Sequence, residues 1–458
     1  VLVRGGFGTI GGARRFGEAM DLVNEGTIRA DISGRDLQLG DGTSLTRVTN
    51  AGTIGVDDGS LSVVAEVLSA IGSNGSGQFA ISGGTFNLYS NFDTTGFGGF
   101  VSTGGVVNFR GLVENTGSTL TLGATPGSWV LNGGVIEGGT LNLDSALVIS
   151  NNTNNRLLGI TVNGDLNLSE SDAVLRVKDL VLNGTATLGW NGSIAFEGTQ
   201  RLDGNATVAF LSSDSRFYGY LEMQTAGTLT LGSNVLLRGG FGTIGGAHRF
   251  GEAMELVNEG TIRADISGRN LQLGDGTSLT RVTNAGTIES ANGATLDVLA
   301  ENISNQAGAE IITAGGNLSA GGTSFTNSGS IEAADGTVTI STTTFNNAAT
   351  IRVAAGARIQ VSGTVTMAPA SILEVVFGGS LASEIGRFSS SGSLALDGMV
   401  RVFLSGGFVP SLGAEFAFLS YDARAGQFVG VDDADGTPGI GYNLTYGSID
   451  ATIRAVLG

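Results

Sequence analysis

A short phrase of alternating polar and apolar residues returns along this 458-residue chain at intervals of 20–26 residues. It is written GGTLNL at 138–143, NGDLNL at 163–168, NGTATL at 183–188, DGNATV at 203–208 and AGTLTL at 226–231. A second phrase spaces Asn, Gly and Ile evenly, as in LVNEGTI (22–28 and 256–262), VTNAGTI (48–54 and 282–288) and FTNSGSI (325–331), with FNNAATI (345–351) as a variant that has alanine in place of the glycine. This period is shorter than the about 40–50 residues of a propeller blade and matches one coil of a β-solenoid.

Within each phrase the alternation predicts a short strand with one apolar face. At 228–231 the two leucines point to one side and the two threonines to the other, since side chains alternate across a strand. Successive coils then lie parallel and about 4.8 Å apart, and roughly 20 of them would give a rod on the order of 100 Å long. Parallel crossovers favour the right-handed form. The sequence therefore predicts an all-β fold, a right-handed parallel β-helix (β-solenoid) with 20–26-residue coils and a C-terminal cap.

The composition agrees with this architecture. Glycine occurs 77 times and proline 4 times, and no amphipathic segment is long enough to make helix the dominant element. We expect glycine at the corners of the coils because it accepts positive φ. Asparagine is expected in turns or in ladders, where its amide stacks on the Asn of the next coil. The recurring positions are Asn24, Asn50, Asn258, Asn284 and Asn327.

A longer repeat overlies the short one. Residues 1–54 return at 235–288, an offset of 234 residues, with four differences: Val3/Leu237, Arg14/His248, Asp21/Glu255 and Asp36/Asn270. We therefore expect a longer array of such units in the full protein. The sequence predicts a parallel β-helix at 1–374, followed by terminal coils and an aromatic cap at 375–458. The β-helix divides into a 234-residue unit (1–234), a partial second copy (235–288) and diverged coils (289–374).

The charge balance excludes several classes of partner. The chain has 41 acidic and 23 basic residues, a formal charge of −18, which repels phosphate backbones and anionic lipids. We therefore expect no nucleic-acid partner. No run of about 18 apolar residues occurs, so no membrane span is expected within this chain. The absence of cysteine excludes disulfides, thiolate catalysis and cysteine-ligated metals.

The phrases VNEGTI, TNAGTI and TNSGSI, with GTVTISTTTFNN (336–347) and ARIQVSG (357–363), resemble the β-helical stalks of large bacterial surface proteins. Those stalks are autotransporter passengers and filamentous-haemagglutinin-like adhesins. Residues 394–458 resemble the terminal cap of such passengers, which implies a plug of aromatic side chains over the open end of the core. The aromatic residues of this segment are Phe403, Phe408, Phe416, Phe418, Tyr421 and Phe428.

Two related segments interrupt the coil rhythm with basic, acidic and aromatic residues: ARRFGEAM at 13–20 and AHRFGEAM at 247–254. Loops that protrude from a solenoid commonly carry its binding residues, so we treat this pair as a candidate contact loop. The alternative is a short helical lid over one corner, with Phe16 and Met20 packed inward. Because His248 aligns with Arg14, a histidine-dependent triad or metal site cannot occur in both copies. The candidate contact residues are Arg14, Arg15, Phe16, His248, Arg249 and Phe250.

Four further patterns have a chemical and a structural interpretation. Residues 6–11 and 240–245 match the dinucleotide pattern GxGxxG, but the βαβ context is missing, so we interpret them as a corner and loop without a cofactor. Asp57/Asp58 and Asp432/Asp433/Asp435 are candidate carboxylates for glycosidic chemistry. They lie in Asp-Gly turn contexts, and we expect no column of acids that repeats beside a column of Arg or Lys.

The stretch DDADG at 432–436 partly resembles a calcium loop, with Asp433 and Asp435 as candidate ligands, although Val431 stands where the first ligand belongs. Outward threonine rows invite an ice-binding interpretation, but Asn142 and Asn167 break the register, so a solvated β-face is the preferred account. These rows are Thr119/Thr121, Thr185/Thr187, Thr228/Thr230 and Thr337/Thr339.

Together these observations predict a non-enzymatic structural or adhesive rod of a bacterial surface protein, located outside the cell. The alternatives are a subunit of an extracellular filament or biofilm matrix fibre, and a polysaccharide lyase or glycosidase built on a β-helix. The expected partners are the chain itself, through end-to-end or lateral assembly, or glycans and proteins of a cell surface or matrix. No cofactor is expected apart from the calcium candidate.

Overall fold

The computed structural model describes residues 1–12, 18–69, 77–95, 97, 99–124, 128–216 and 218–458. The fold is all-β, with 61% strand and 1% helix, and its parallel sheets stack as a β-solenoid of about 17 turns. The predicted fold class is therefore confirmed. The chain divides into two compact units, Val1–Val208 and Ala209–Gly458.

In the first unit most strands are three to six residues long, and three strands make up each coil. The strand Ala206–Phe210 contains the division between the units. The strands before it are Leu2–Gly5, Gly8–Ile10, Met20–Asn24, Thr27–Ala30, Asp36–Leu39, Leu45–Asn50, Thr53–Val56, Ser60–Val63, Val67–Ser69, Gln78–Ile81, Thr85–Leu88, Asn91–Asp93, Phe100–Ser102, Val106–Phe109, Leu112–Glu114, Thr119–Leu122, Ser128–Leu131, Val135–Glu137, Thr140–Leu143, Leu147–Ile149, Arg156–Leu158, Thr161–Asn163, Leu166–Leu168, Val174–Lys178, Val181–Leu188, Ser193–Glu197 and Gln200–Leu202.

In the second unit some strands bend through a corner without a break and reach 18 residues. One short 3₁₀ helix, Ala382–Glu384, lies among the described residues of this unit. The strands are Gly219–Thr225, Gly227–Leu231, Leu236–Gly239, Gly242–Ile244, Met254–Asn258, Thr261–Ala264, Asn270–Leu273, Leu279–Asn284, Thr287–Ala291, Thr295–Leu299, Asn302–Asn305, Glu310–Asn327, Ser330–Asn347, Thr350–Val353, Arg358–Met367, Ile372–Phe377, Arg387–Leu396, Met399–Leu404, Glu415–Gly426, Gly430–Asp433, Ile440–Tyr446 and Asp450–Leu457.

The cores of both units are columns of apolar side chains, because parallel in-register pairing places each inward residue beside the inward residue of the next coil. The predicted alternation is confirmed at 228–231, where Leu229 and Leu231 are fully buried. One column of the first unit runs through Leu37, Leu61, Phe86, Val107, Trp129, Leu147, Leu166 and Ala186. One column of the second unit runs through Leu271, Leu296, Leu318, Val338, Ile359, Phe388 and Leu419.

Of the two roles expected for the recurring asparagines, turn and ladder, the ladder is present inside the coils. In the first unit the Asn24 amide donates to the Asn50 side-chain oxygen at 2.8 Å. In the second unit the ladder joins Asn258, Asn284, Asn305, Asn327 and Asn347, with N···O distances of 2.8, 2.9, 2.8 and 2.7 Å. The bonded residues are 26, 21, 22 and 20 positions apart, which matches the predicted coil length. Every ladder residue is buried. Each bond of the ladder satisfies an amide donor and an amide acceptor that would otherwise be costly to bury, although the Asn258 Oδ1 at the start of the ladder has no partner.

The glycine of the Asn-x-Gly phrase is required for a reason other than the expected positive φ. A Cβ placed on Gly52 would lie 2.1 Å from the Gly26 carbonyl oxygen, and one on Gly286 would lie 2.1 Å from the Gly260 oxygen. Stacked corners thus approach too closely for a side chain at these two positions, whereas the FNNAATI copy has Ala349 at the equivalent position. Positive φ accounts for glycine at other corners, such as Gly274 (φ 83°).

The C-terminal end of the second unit changes from parallel to antiparallel pairing. Asp450–Leu457 pairs antiparallel with Glu415–Gly426 and with Ile440–Tyr446. Phe416 lies in the core and stacks on Phe377 with ring centroids 4.4 Å apart. Phe418, Tyr421 and Phe428 are also buried, whereas Phe403 and Phe408 are half-buried.

Candidate functional site

The candidate contact loop of the second copy connects the strands Gly242–Ile244 and Met254–Asn258. His248 and Arg249 are exposed and Phe250 is half-buried. None of residues 247–253 is helical, so the helical-lid alternative is wrong for this copy, although Met254 itself packs inward and is fully buried. The candidate residues of the first copy, Arg14, Arg15 and Phe16, lie outside the described residues.

A buried carboxylate from the preceding coil holds this loop. The Glu222 side chain is inaccessible to solvent, and its Oε2 accepts backbone N–H groups from His248, Arg249 and Phe250 at 3.2, 2.9 and 2.9 Å. Its other oxygen, Oε1, is buried without a hydrogen-bond partner. Three converging N–H groups form an anion-binding nest, so the loop conformation depends on a charge supplied by the coil before it.

Two further contacts hold the first part of the loop. The His248 ring stacks on Tyr220 with centroids 4.5 Å apart and an interplanar angle of 8°. Burial raises the pKa of Tyr220, and the Glu222 charge adds to the shift. At the start of the loop, Asp275 accepts the Ala247 N–H at 3.0 Å. Burial alone would raise the pKa of Asp275, but hydrogen bonds from Ala247, Ser278 and Thr277 outweigh it and lower the pKa to about 2.

The sequence did not indicate Glu222, Tyr220 or Asp275 as parts of this site. Glu222 lies between two buried residues, Leu221 and Met223, on the outward face of its strand, and the loop folds back over that face. The available sequence signal for Glu222 was its position between two apolar residues. Nothing near it in the sequence indicated that a loop 26 residues later would cover it.

The glycine-rich segment forms a corner of the solenoid. Phe7 and Phe241 adopt positive φ of 75° and 57°, and the Phe241 N–H donates to the Asn270 carbonyl of the next coil. The Gly245 N–H donates to the Leu221 carbonyl at 2.8 Å. These donors are therefore engaged in coil-to-coil bonds, and no helix follows the motif in the described residues. The geometry agrees with the corner interpretation.

The candidate catalytic carboxylates are engaged in structural contacts. The Arg29 guanidinium binds both oxygens of Asp57 at 3.0 Å, while Asp58 is exposed. Asp433 accepts the N–H groups of Asp435 and Thr437 at 3.2 and 2.8 Å. Asp432 pairs with Arg401 at 3.5 Å, and Asp435 accepts the Leu404 N–H.

The candidate calcium ligands, Asp433 and Asp435, lie in this same turn. In the described residues, no group of three or more His, Cys, Asp or Glu side chains is arranged to hold a metal ion. Asp433 and Asp435 instead lie near the buried hydroxyl of Tyr442. Burial raises the pKa of Tyr442 to about 12, and the two carboxylates contribute to the shift.

We expected no column of acids beside a column of Arg or Lys; the structure instead contains one column in which the two kinds of residue alternate. In the second unit a column of alternating charge runs across successive coils, through Glu332, Arg352, Glu374, Arg401 and Asp432. Arg352 lies 2.9 Å from Glu374 and 3.3 Å from Glu332, and Arg401 lies 3.3 Å from Glu374. The column was not apparent from the sequence because its residue, the third of each strand phrase, changes between acid and arginine from one coil to the next. The phrases are SIEA, TIRV, ILEV and MVRV. Because neighbouring residues in this column carry opposite charges, the column favours this pairing register and attracts each coil to the next.

The outward threonines behave as a solvated face. Thr119 and Thr121 are exposed, and Thr185, Thr187, Thr228 and Thr230 are partly exposed. The described residues contain no helix with the length and apolar character needed to span a membrane. No family model matches the chain, and no curated protein matches it.

Proposed function

We propose that this chain is a non-enzymatic structural and adhesive segment of a bacterial surface protein, located outside the cell, whose stacked coils provide reach and stiffness. The observation that carries the proposal is the buried asparagine ladder from Asn258 to Asn347, with hydrogen bonds of 2.7–2.9 Å at every coil-to-coil step. A ladder of this kind resists sliding and bending of one coil on the next.

The candidate catalytic carboxylates are engaged in structural contacts, and this supports a mechanical role. Asp57 and Asp432 are paired with arginines, and Asp433 and Asp435 accept backbone N–H groups in a turn. A glycosidase needs two carboxylates that remain free to transfer a proton or attack the sugar. We therefore place ligand contacts on loops and exposed β-faces, with glycans or proteins of a cell surface or matrix as the partners.

The alternative function is the subunit of an extracellular filament or matrix fibre, which would assemble from copies of this chain.

Antibodies raised against the purified chain test the proposed location and role. We expect them to label intact cells of the source bacterium, and we expect external protease to remove that label while a cytosolic marker stays intact. Electron microscopy of the purified chain should show elongated particles. Compact particles, or labelling that requires permeabilised cells, would contradict the proposal. Filaments that grow with protein concentration would favour the fibre.

A further inference from the structure

Two arginines of the second unit lie side by side without an acid. Arg358 and Arg387 are direct neighbours in the parallel pairing of Arg358–Met367 with Arg387–Leu396. Directly opposed like charges destabilise a sheet. Neither guanidinium makes an ion pair, a side-chain hydrogen bond or a ring contact within the described residues, and the Nε atom of Arg387 is buried without a partner.

This pair differs from other arginines of the same unit. Arg263, Arg352 and Arg401 each face an acid on an adjacent strand, at 2.6, 2.9 and 3.3 Å. The column of Arg358 and Arg387 continues through Thr337, which is neutral. The fold thus retains two unneutralised guanidinium groups at one place although the chain has an excess of acids.

The arginines line a groove of about 430 Å³ on the outer face of the sheet. Its floor continues through Gln360, Ser389 and Ser420, which lie beside one another on successive strands. Ile449 and Asp450, at the start of the last strand, lie along the groove. The groove therefore combines a positive end, a row of amide and hydroxyl groups, and one acid able to accept hydroxyl hydrogens.

We propose that Arg358 and Arg387 bind a carboxylate of an acidic polysaccharide, a chain of uronate sugars lying in this groove. Guanidinium groups bind carboxylates through paired hydrogen bonds, and neither of these two has an acid as its partner. Gln360, Ser389 and Ser420 would bond to the sugar hydroxyls, and Asp450 would accept one of them. The spacing of the strands, about 4.8 Å, is close to the length of one sugar residue.

The net charge of −18 does not prevent this contact. At physiological ionic strength, charges farther apart than about 8 Å are largely screened, so the adjacent guanidinium groups dominate the field at the groove. The choice of a glycan as the ligand rests on the surface role proposed above. The unpaired arginines themselves do not depend on that role.

Calorimetric titration of the full chain with an α-1,4-galacturonate hexamer tests the site. We expect the acidic hexamer to bind at least about tenfold more tightly than a neutral galactose hexamer, since charge-assisted bonds are lost with the carboxylates. The double variant Arg358→Gln/Arg387→Gln should lose at least about tenfold in affinity. Arg281→Gln, which removes the same charge from an exposed arginine on a different strand, should stay within about twofold.

Thermal melting shows whether a variant loses hexamer binding because the site has changed or because the fold is less stable. The double variant should melt at or above the wild-type temperature because a like-charge contact is removed. If it fails to fold, Arg358→Lys/Arg387→Lys keeps both charges but loses the planar fork, and weaker hexamer binding is expected there too. Equal binding of acidic and neutral hexamers, unchanged binding by either double variant, or sulfate that binds as tightly as the hexamer would overturn the proposal.

The two proposals fail in different ways. Hexamer binding without surface labelling of cells would refute the surface role and leave the groove site. Surface labelling without hexamer binding would refute the groove site alone.

Discussion

The two copies of the long repeat have nearly the same sequence but different burial in their first coil. Met20 is 40% exposed, whereas its equivalent Met254 is fully buried. Thr9 is exposed, whereas Thr243 is 4% exposed. In the second copy the strands Gly219–Thr225 and Gly227–Leu231 pair with this coil and cover it.

One coil farther along, the difference has disappeared. Ile28 and Ile262 are 3% and 0% exposed, and Leu39 and Leu273 are both fully buried. The environment of a residue in this fold therefore depends on its own coil and the adjacent ones. This is the nearest-neighbour behaviour expected of a solenoid.

The largest expected effect concerns the paired methionines. Met254→Ala should cost about 2–5 kcal/mol in unfolding free energy because it empties a buried site, while Met20→Ala should cost less than about 1 kcal/mol. Chemical denaturation of the two variants measures this difference. Ile28→Ala and Ile262→Ala are the matched controls and should cost similar amounts. Equal costs for the two methionine variants would show that the first coil is covered in solution.

The next effect concerns the carboxylate that holds the contact loop. Glu222→Ala should cost about 2–3 kcal/mol, since three backbone N–H groups lose a charged acceptor. Hydrogen exchange at residues 248–250 should accelerate in this variant. Glu222→Gln keeps an acceptor oxygen and should cost less than Glu222→Ala. Unchanged exchange in the alanine variant would show that the loop holds its shape without Glu222.

A smaller effect is expected at one of the four differences between the copies. Asp36 accepts a hydrogen bond from Ser62 at 3.3 Å, whereas Asn270 donates to Asp297 at 2.8 Å. Asn270→Asp would oppose two carboxylates and should cost about 0.5–1 kcal/mol. Asp36→Asn should change stability by less than about 0.5 kcal/mol, because an amide oxygen also accepts from Ser62. Denaturant titration at pH 7 distinguishes the two, and a similar cost for both would contradict this reason for the substitution.

The smallest effect is a pH dependence at the start of the loop. Hydrogen bonds lower the pKa of Asp275 to about 2, so its contribution to stability is present above the unfolded pKa of about 3.9 and is lost as the pH falls toward 2. Allowing for solvent screening, the loss should be about 0.5 kcal/mol or less. Asp275→Asn should flatten the stability profile between pH 4 and pH 2 relative to wild type. A profile that stays parallel to wild type would argue against this assignment.

Features that repeat with the coil were predictable from the sequence, and features that join different coils were not. The LVNEGTI and VTNAGTI phrases indicated the asparagine ladder because each carries Asn at the same inward position. The column from Glu332 to Asp432 changes residue type at every step, so only the pairing register revealed it. The contact between Glu222 and His248 joins two segments that share no phrase, and the Arg358 and Arg387 pair became visible only when their strands were aligned.

Oxidation of methionine tests the central claim most directly, since the segments GEAMDLV and GEAMELV give Met20 and Met254 nearly the same intrinsic reactivity. The native chain would be treated with dilute hydrogen peroxide, and the peptides, which differ by Asp21 against Glu255, would be separated by mass spectrometry. We expect Met20 to oxidise at least about tenfold faster than Met254, and we expect the difference to vanish in urea, because only the folded second copy shields its methionine. Equal oxidation rates in the native chain would contradict the claim that the adjacent coil determines burial.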